Sequence, residues 1–342
     1  MSLEKGVLCF QQSPDTFEVE ERLAYEPCGE GPHMFAQVRK RGVNTHWVTR
    51  RLSEALGIPL KHMRHAGKKD AAATATQWLS WPIEAQKKMA WPQSQEAFEI
   101  LRTVAHTNGL ALGHIKTNAF TLRLKAASGL ALDIEKLTPF PNFFGAQRFG
   151  SGPRHWCEWM SPAQTKKMGK DRISIIQALL FNTFLATRFE ASGRTHFEDD
   201  YWMHLSGKRF FQVVDESEVL DRYHMGEITP SGPLFGYKVP LRQVERDFLE
   251  RYQVQQEMFR AWGKMAKGTR RPLWMLPTAF SAVQGDDQLV LKFELPSGVY
   301  ATVFLLHLFS PQALWLPSET WPNFTEPVRW QKGDRGFEMA MV

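Results

Sequence analysis

His65-Ala66-Gly67-Lys68-Lys69-Asp70-Ala71-Ala72-Ala73-Thr74-Ala75-Thr76-Gln77-Trp78 is the stretch from which the rest of the chain is best read. It is a glycine-containing loop that delivers an aspartate beside two lysines and leads into a strand, read over Thr76 to Trp81. The approach is basic: Lys61, His62, Arg64, His65, Lys68 and Lys69 precede Asp70 with no acid among them. Neighbouring cations favour the ionised carboxylate that a nucleophile or base requires. Spacing alone equally fits an ordinary Gly/Asp turn with solvated lysines, which is the commoner arrangement in proteins.

Working outward, Phe17 to Lys40 reads as two strands around the turn Pro27-Cys28-Gly29-Glu30-Gly31-Pro32. A helix follows, with Thr45 as the expected N-cap, Val48, Leu52, Ala55 and Leu56 on one face, Gly57 as the terminator and Pro59 preventing continuation. His114 to Lys125 alternates as a strand, which places Asn118 and Phe120 on the same face as Leu122 and Leu124. Near residue 151 the composition shifts to Gly, Pro, Trp and Lys, and a long amphipathic helix begins around Ile173, with Ile176, Leu180 and Phe184 at helical spacing. A second helical pattern spans Leu241 to Lys264. Strands are expected at Leu289 to Leu295 and Val299 to Phe309, on either side of Pro296-Ser297-Gly298.

At 342 residues the chain is long enough for two domains. Hydrophobic residues at 43% and charged residues at 23% exclude a disordered or fibrous class. A net charge of +6 favours polyanionic partners mildly. Cys9, Cys28 and Cys157 are scattered, which argues against a disulfide framework or a structural zinc site and fits a reducing compartment. No basic segment leads into an apolar run at Met1-Ser2-Leu3-Glu4-Lys5, and no stretch is apolar enough for a membrane span, so a cytoplasmic protein is expected.

The run Ala66-Gly67-x-Lys69-Asp70 with Thr74 and Gln77 resembles the signature loop of TruD-type pseudouridine synthases. Five further blocks match in the same order: Phe17-x-Val19-x-Glu21 with Gly29-Glu30-Gly31; Arg39-Lys40-Arg41-Gly42-x-Asn44-Thr45; Leu112-Gly113-His114 with Asn118 and Phe120; Pro141-Asn142-Phe143-Phe144-Gly145-Ala146-Gln147-Arg148-Phe149-Gly150; and Leu295-Pro296-x-Gly298-x-Tyr300-Ala301-Thr302. Each is weak alone, and their common order carries the resemblance. It implies an α+β fold, a catalytic domain with a mixed, largely antiparallel sheet formed by residues 1–150 and 276–342, interrupted by an inserted α/β domain at 151–275. The chain departs from the family pattern at Gln11, at Ala71 and Ala72, and at Leu306-His307, positions that bear on ion pairs around the site and on substrate range.

The resemblance further implies conversion of uridine to pseudouridine, with tRNA as substrate and uridine 13 of the D arm as the target. Asp70 is then the catalytic carboxylate, acting as nucleophile at the sugar carbon or as base at a sugar proton. Phe120 is expected to stack on a flipped base and Asn118 to bond near it, with Phe17 and Tyr300 lining the uridine pocket. Arg148 is a candidate for Asp70 or a phosphate, and Lys69 for supporting the ionised carboxylate. The reaction is redox-neutral and transfers no external group, so no cofactor and no metal are expected, nor an obligate protein partner; a monomer suffices. Phosphate contacts are sought at Arg39, Lys40 and Arg41, at Lys61 and Arg64, at Lys166, Lys167, Lys170 and Arg172, and from Lys264 through Lys267 to Arg270 and Arg271. Two other classes stay in view: an RNA-binding scaffold without turnover, and an aspartate-dependent hydrolase, for which metal-ligand clusters are lacking.

Overall fold

Alternation starting at Phe17 builds the first large sheet of the chain. The computed structural model describes residues 9–88, 97–125, 137–149, 169–193, 196–197, 199–205, 209–213, 217–309, 328–333 and 336–341. Two compact units emerge: Met1–Lys136 with Pro277–Gly298 and Pro327–Val342, and Leu137–Leu276 with Val299–Glu326. Among the described residues no helix is long and apolar enough to cross a membrane.

The first unit opens with β1 (Cys9–Gln11), β2 (Phe17–Leu23), β3 (His33–Arg41), α1 (Thr45–Leu56), β4 (Arg64–His65), β5 (Thr74–Pro82), β6 (Phe98–His106) and β7 (Ile115–Lys125). In the middle of the sheet the order runs β1-β7-β2-β5-β3-β6. Every described pairing is antiparallel except β2 with β5, where Val19 faces Ala75 in parallel. Helix α1 lays Val48, Leu52 and Leu56 on Ala36, Val38, Leu79, Trp81 and Phe98. Complete burial of each such side chain contributes about 1.5–3 kcal/mol. The helix ends where Gly57 adopts φ 66°, a left-handed conformation that costs a glycine no Cβ clash.

The second unit contains β8 (Phe140–Pro141), α2 (Lys170–Ser192), β9 (Trp202–His204), β10 (Phe210–Phe211), α3 (Ser217–His224), β11 (Ile228–Leu234), α4 (Gln243–Arg251), β12 (Thr269–Pro272) and β13 (Trp274–Met275). Strands β10-β9-β11-β12 form a four-stranded sheet, and β13 pairs with β8. Ile173, Ile176, Leu180 and Phe184 of α2 are all buried, as their helical spacing predicts. The first unit resumes with β14 (Thr278–Gln284) and β15 (Gln288–Pro296), and α5 (Ala301–Phe309) belongs to the second. Last come β16 (Val328–Gly333) and β17 (Gly336–Met341), which adds to the sheet beside β1.

Four expectations are corrected. Asn44, not Thr45, caps α1: its Oδ1 accepts from Trp47 N at 2.9 Å, and Thr45 begins the helix. Val299 to Phe309 is helical from Ala301, because the second unit buries Ala301 to Leu306 on all sides and the run carries no period to read. The pattern from Leu241 to Lys264 breaks into α4 and a 3-10 segment at Gln256–Ala266, with Gln253 at φ 57° between them. Lys40, Arg270 and Arg271 are not surface cations: Lys40 and Arg270 are buried, and Arg271 lies over the Phe144 ring at 4.1 Å and donates to Asn142 O at 3.0 Å. Lys166 and Lys167 lie outside the described residues, as does the boundary near 151.

Candidate active site

Asp70 lies midway along the loop between β4 and β5, and two ties fix that loop's backbone. Thr45 Oγ1 accepts from Lys69 N at 2.8 Å while donating to Gln77 Oε1 at 2.8 Å. Lys40 Nζ donates to Asp70 O at 2.7 Å. The Lys69 side chain reaches the sheet, where Nζ lies 2.8 Å from Asn118 Oδ1 and 3.0 Å from Glu21 Oε1. Glu21 is itself buried and takes Trp78 N on Oε2 at 2.8 Å. The Asp70 carboxylate remains exposed.

Strand register explains why these groups meet. Glu21 opposes Asn118, Val19 opposes Phe120 and Phe17 opposes Leu122, so β2 and β7 present one shared face. Strand β15 extends it, with Phe293 opposite Phe120 and Leu295 opposite Asn118. Phe120 stacks on Phe293 with centroids 5.3 Å apart and meets Phe17 edge-on at 5.8 Å. The first unit therefore brings Lys69, Asn118, Phe17 and Phe120 onto one face, with Asp70 beside Lys69 at its rim. A groove of about 440 Å³ lined by Glu18, Glu20, Arg39, Thr76 and Lys292 reaches Phe120 and Phe293 but includes neither Asp70 nor Lys69. Its chief residues alternate away from Asn118, and it mixes both signs of charge.

Tyr300 and Arg148 belong to the second unit, where two of the matching blocks pack together. The Tyr300 ring lies 6.0 Å from Phe144, and Gln147 Nε2 donates to Thr302 Oγ1 at 2.9 Å. Gly145 permits that approach: a Cβ there would stand 2.9 Å from Tyr300 Cδ1 and 2.6 Å from Gln147 Oε1. Arg148 donates to Ser174 Oγ and keeps a buried Nε–H without a partner among the described residues. The departures Leu306 and His307 are structural here, Leu306 in the core and His307 Nε2 3.2 Å from Thr138 Oγ1.

Charge in the first unit is tuned by burial. Desolvation lowers Lys40 to about 8, opposed by the nearby Asp70 and Glu21 carboxylates and reinforced by Lys69. Burial also lowers His65 from the usual imidazole value, with Glu21 opposing. Among the described residues no cluster of three or more His, Cys, Asp or Glu could hold a metal. Glu21, Lys40, Thr45 and Gln77 form the network around the loop. Sequence placed Thr45 at a helix start and Lys40 among phosphate contacts, and Glu21 and Gln77 only in matching blocks; the roles of all four depend on register.

The family model for tRNA pseudouridine synthase D (TruD) matches residues 5–156 and 166–308. A tRNA pseudouridine synthase D from Anaeromyxobacter sp. (strain Fw109-5) is 34% identical over 334 residues, covering 89% of this chain and 93% of its own. Another, from Thermus thermophilus, is 31% identical over 326 residues, covering 88% of each. A Methanosarcina mazei crystal structure assigned to tRNA pseudouridine synthase D (TruD) shares the fold, with TM-score 0.59 at 22% identity over 87% of this chain and 92% of that one. On the breadth of the family match and the identity to these relatives, the chain belongs to the tRNA pseudouridine synthase D (TruD) family.

Proposed function

We propose that this protein isomerises uridine to pseudouridine in tRNA, at position 13 of the D arm, with Asp70 as its catalytic carboxylate. The bond from the sugar carbon to ring nitrogen breaks, the base turns, and the same sugar carbon joins ring carbon 5. That carbon loses its proton and the nitrogen gains one. Asp70 acts on the sugar, as nucleophile at carbon or base at a sugar proton. The observation that carries this reading is an exposed carboxylate on a loop whose backbone is tied by Thr45 and Lys40. Geometry of that kind holds a reacting group in line without consuming its charge.

The target base must leave its stack to reach such a carboxylate. Phe120 and Phe17 supply apolar surface for it, and Asn118, oriented by Lys69, supplies a polar edge. Tyr300 and Arg148 keep in this reading the roles that their matching blocks imply, an aromatic wall and a phosphate or carboxylate donor. Residues 151–275, the inserted domain of this reading, together with exposed Arg39, Arg41, Lys61, Arg64, Lys170, Lys264 and Lys267, hold the RNA backbone. The working form is one chain in the cytoplasm, a setting that suits the exposed free thiol of Cys28.

The test is pseudouridine formation on unmodified tRNA by the protein and by Asp70→Ala, with no metal or cofactor added. Product from the unaltered protein alone supports the reading, and mapping the product tests position 13. RNA binding without product in either protein replaces it with a scaffold.

A further inference from the structure

Lys40 sits in a basic triplet yet behaves unlike its neighbours. Alternation along β3 sends Arg39 and Arg41 outward and turns Lys40 to the face shared with Ala36 and Val38, where none of its surface is exposed. There Nζ donates at 2.7 Å to two backbone carbonyls, those of Val43 and Asp70. No carboxylate is bonded to it among the described residues. A buried ammonium held by carbonyl oxygens is a net cost to a fold, since desolvation is only partly offset. Its environment shows this cost, because burial is the largest influence on its titration.

A residue that weakens the fold while gripping the backbone of one particular aspartate is best explained by what it does to that aspartate. We propose that Lys40 is a positioning residue: by tying the Asp70 carbonyl to the Val43 carbonyl just ahead of α1, it fixes the direction of the Asp70 carboxylate. The inference rests on Asp70 being the reacting group. The span is short, with Asn44 capping α1 on one side and Thr45 holding Lys69 N on the other. The loop is thus clamped at the Asp70 carbonyl and at the amide of the preceding residue. Loss of the charge weakens a charge-assisted bond to an ordinary one. The groups facing Lys40 are Asp70, Lys69 and Glu21, and the two carboxylates hold its proton on while burial and Lys69 drive it off, to about 8.

The experiment is single-turnover pseudouridine formation on unmodified tRNA, with tRNA affinity measured across salt, for the protein, Asp70→Asn, Lys40→Gln and Lys40→Met. Both Lys40 variants are expected to slow the chemical step by about 10- to 100-fold, the scale of a small misplacement. Affinity and its salt slope should stay unchanged, since no phosphate contact is lost. The unaltered protein should also lose rate above pH of about 8, and Lys40→Gln should show no such limb. Lys40→Met removes the buried charge altogether, so a folded variant is available even where glutamine fails. Lys40 variants at full rate overturn the proposal while leaving Asp70 in place, as does a loss of affinity with a shallower salt slope. An inactive unaltered protein overturns the catalytic reading and the positioning role with it.

Discussion

Asp70 and Asp200 are both aspartates with basic side chains close by, and the two units treat them differently. Asp200 is enclosed: Arg188 donates to Oδ1 at 2.7 Å and to Oδ2 at 2.5 Å, Arg242 lies 2.7 Å from Oδ1, and Phe197 N adds a fourth tie. Nearby, Glu245 accepts from Arg242 N at 2.9 Å and receives both guanidinium arms of Arg270. That cluster spends every charge on structure. Around Asp70 the ties go to backbone atoms, to the carbonyl through Lys40 and to the adjacent amide through Thr45, and the carboxylate is left over. Two networks of similar composition therefore do opposite work, one consuming carboxylates and the other presenting one.

The widest separation between them is expected from Asp70→Asn. Turnover should fall by about 10⁴-fold or more, as for a removed nucleophile, with the thermal midpoint unchanged. A large loss of stability by calorimetry would make Asp70 another structural acid and erase the contrast. Next comes Asp200→Asn, which leaves two buried guanidinium groups short of a partner. Urea denaturation should show about 3–5 kcal/mol lost, while the folded fraction keeps its turnover. Glu21→Gln belongs to both kinds, because Glu21 is buried and also holds Lys69 against Asn118. We expect about 1–3 kcal/mol of destabilisation together with slower chemistry, read from urea and single-turnover data.

The smallest effect is reserved for the exposed Arg39→Ala. Its loss should reduce the slope of log affinity against log salt by about 1 and leave stability alone. The pH dependence of stability sharpens the same contrast. Lys40 releases its proton at about 8 in the folded protein and near its ordinary value when unfolded, so from pH 8 upward the unfolded chain binds more protons and the fold gains stability. Lys40→Met should show none of that gain in urea midpoints taken across the range.

How much of this was legible in the sequence depended on whether a residue's role was local. Helix α1 could be read from a stripe, a glycine terminator and a following proline, all within a few residues of one another. The face carrying Asn118 and Phe120 followed from alternation, and both are buried as that predicts. Lys40 could not be placed as easily, because period 2 tells that it opposes Arg39 but not which face meets α1. Arg270 and Arg271 read in sequence as members of a phosphate-contacting cluster. Their partners, Glu245 and Asn142, are distant in sequence, and only folding reveals them. Helix α5 failed for the opposite reason: a run buried on all sides has no polar positions to mark its period.

Strand β15 closes one edge of β7, pairing Phe293 with Phe120 and Leu295 with Asn118. During synthesis β7 emerges long before Pro296 does, and at ribosomal rates of about 5–20 residues per second that gap lasts roughly ten to thirty seconds. Through that interval the edge carrying Asn118 and Phe120 is an unpaired row of amides and carbonyls, the kind that recruits foreign strands. The candidate catalytic face is thus among the last parts of the sheet to be sealed, and its risk is one of timing.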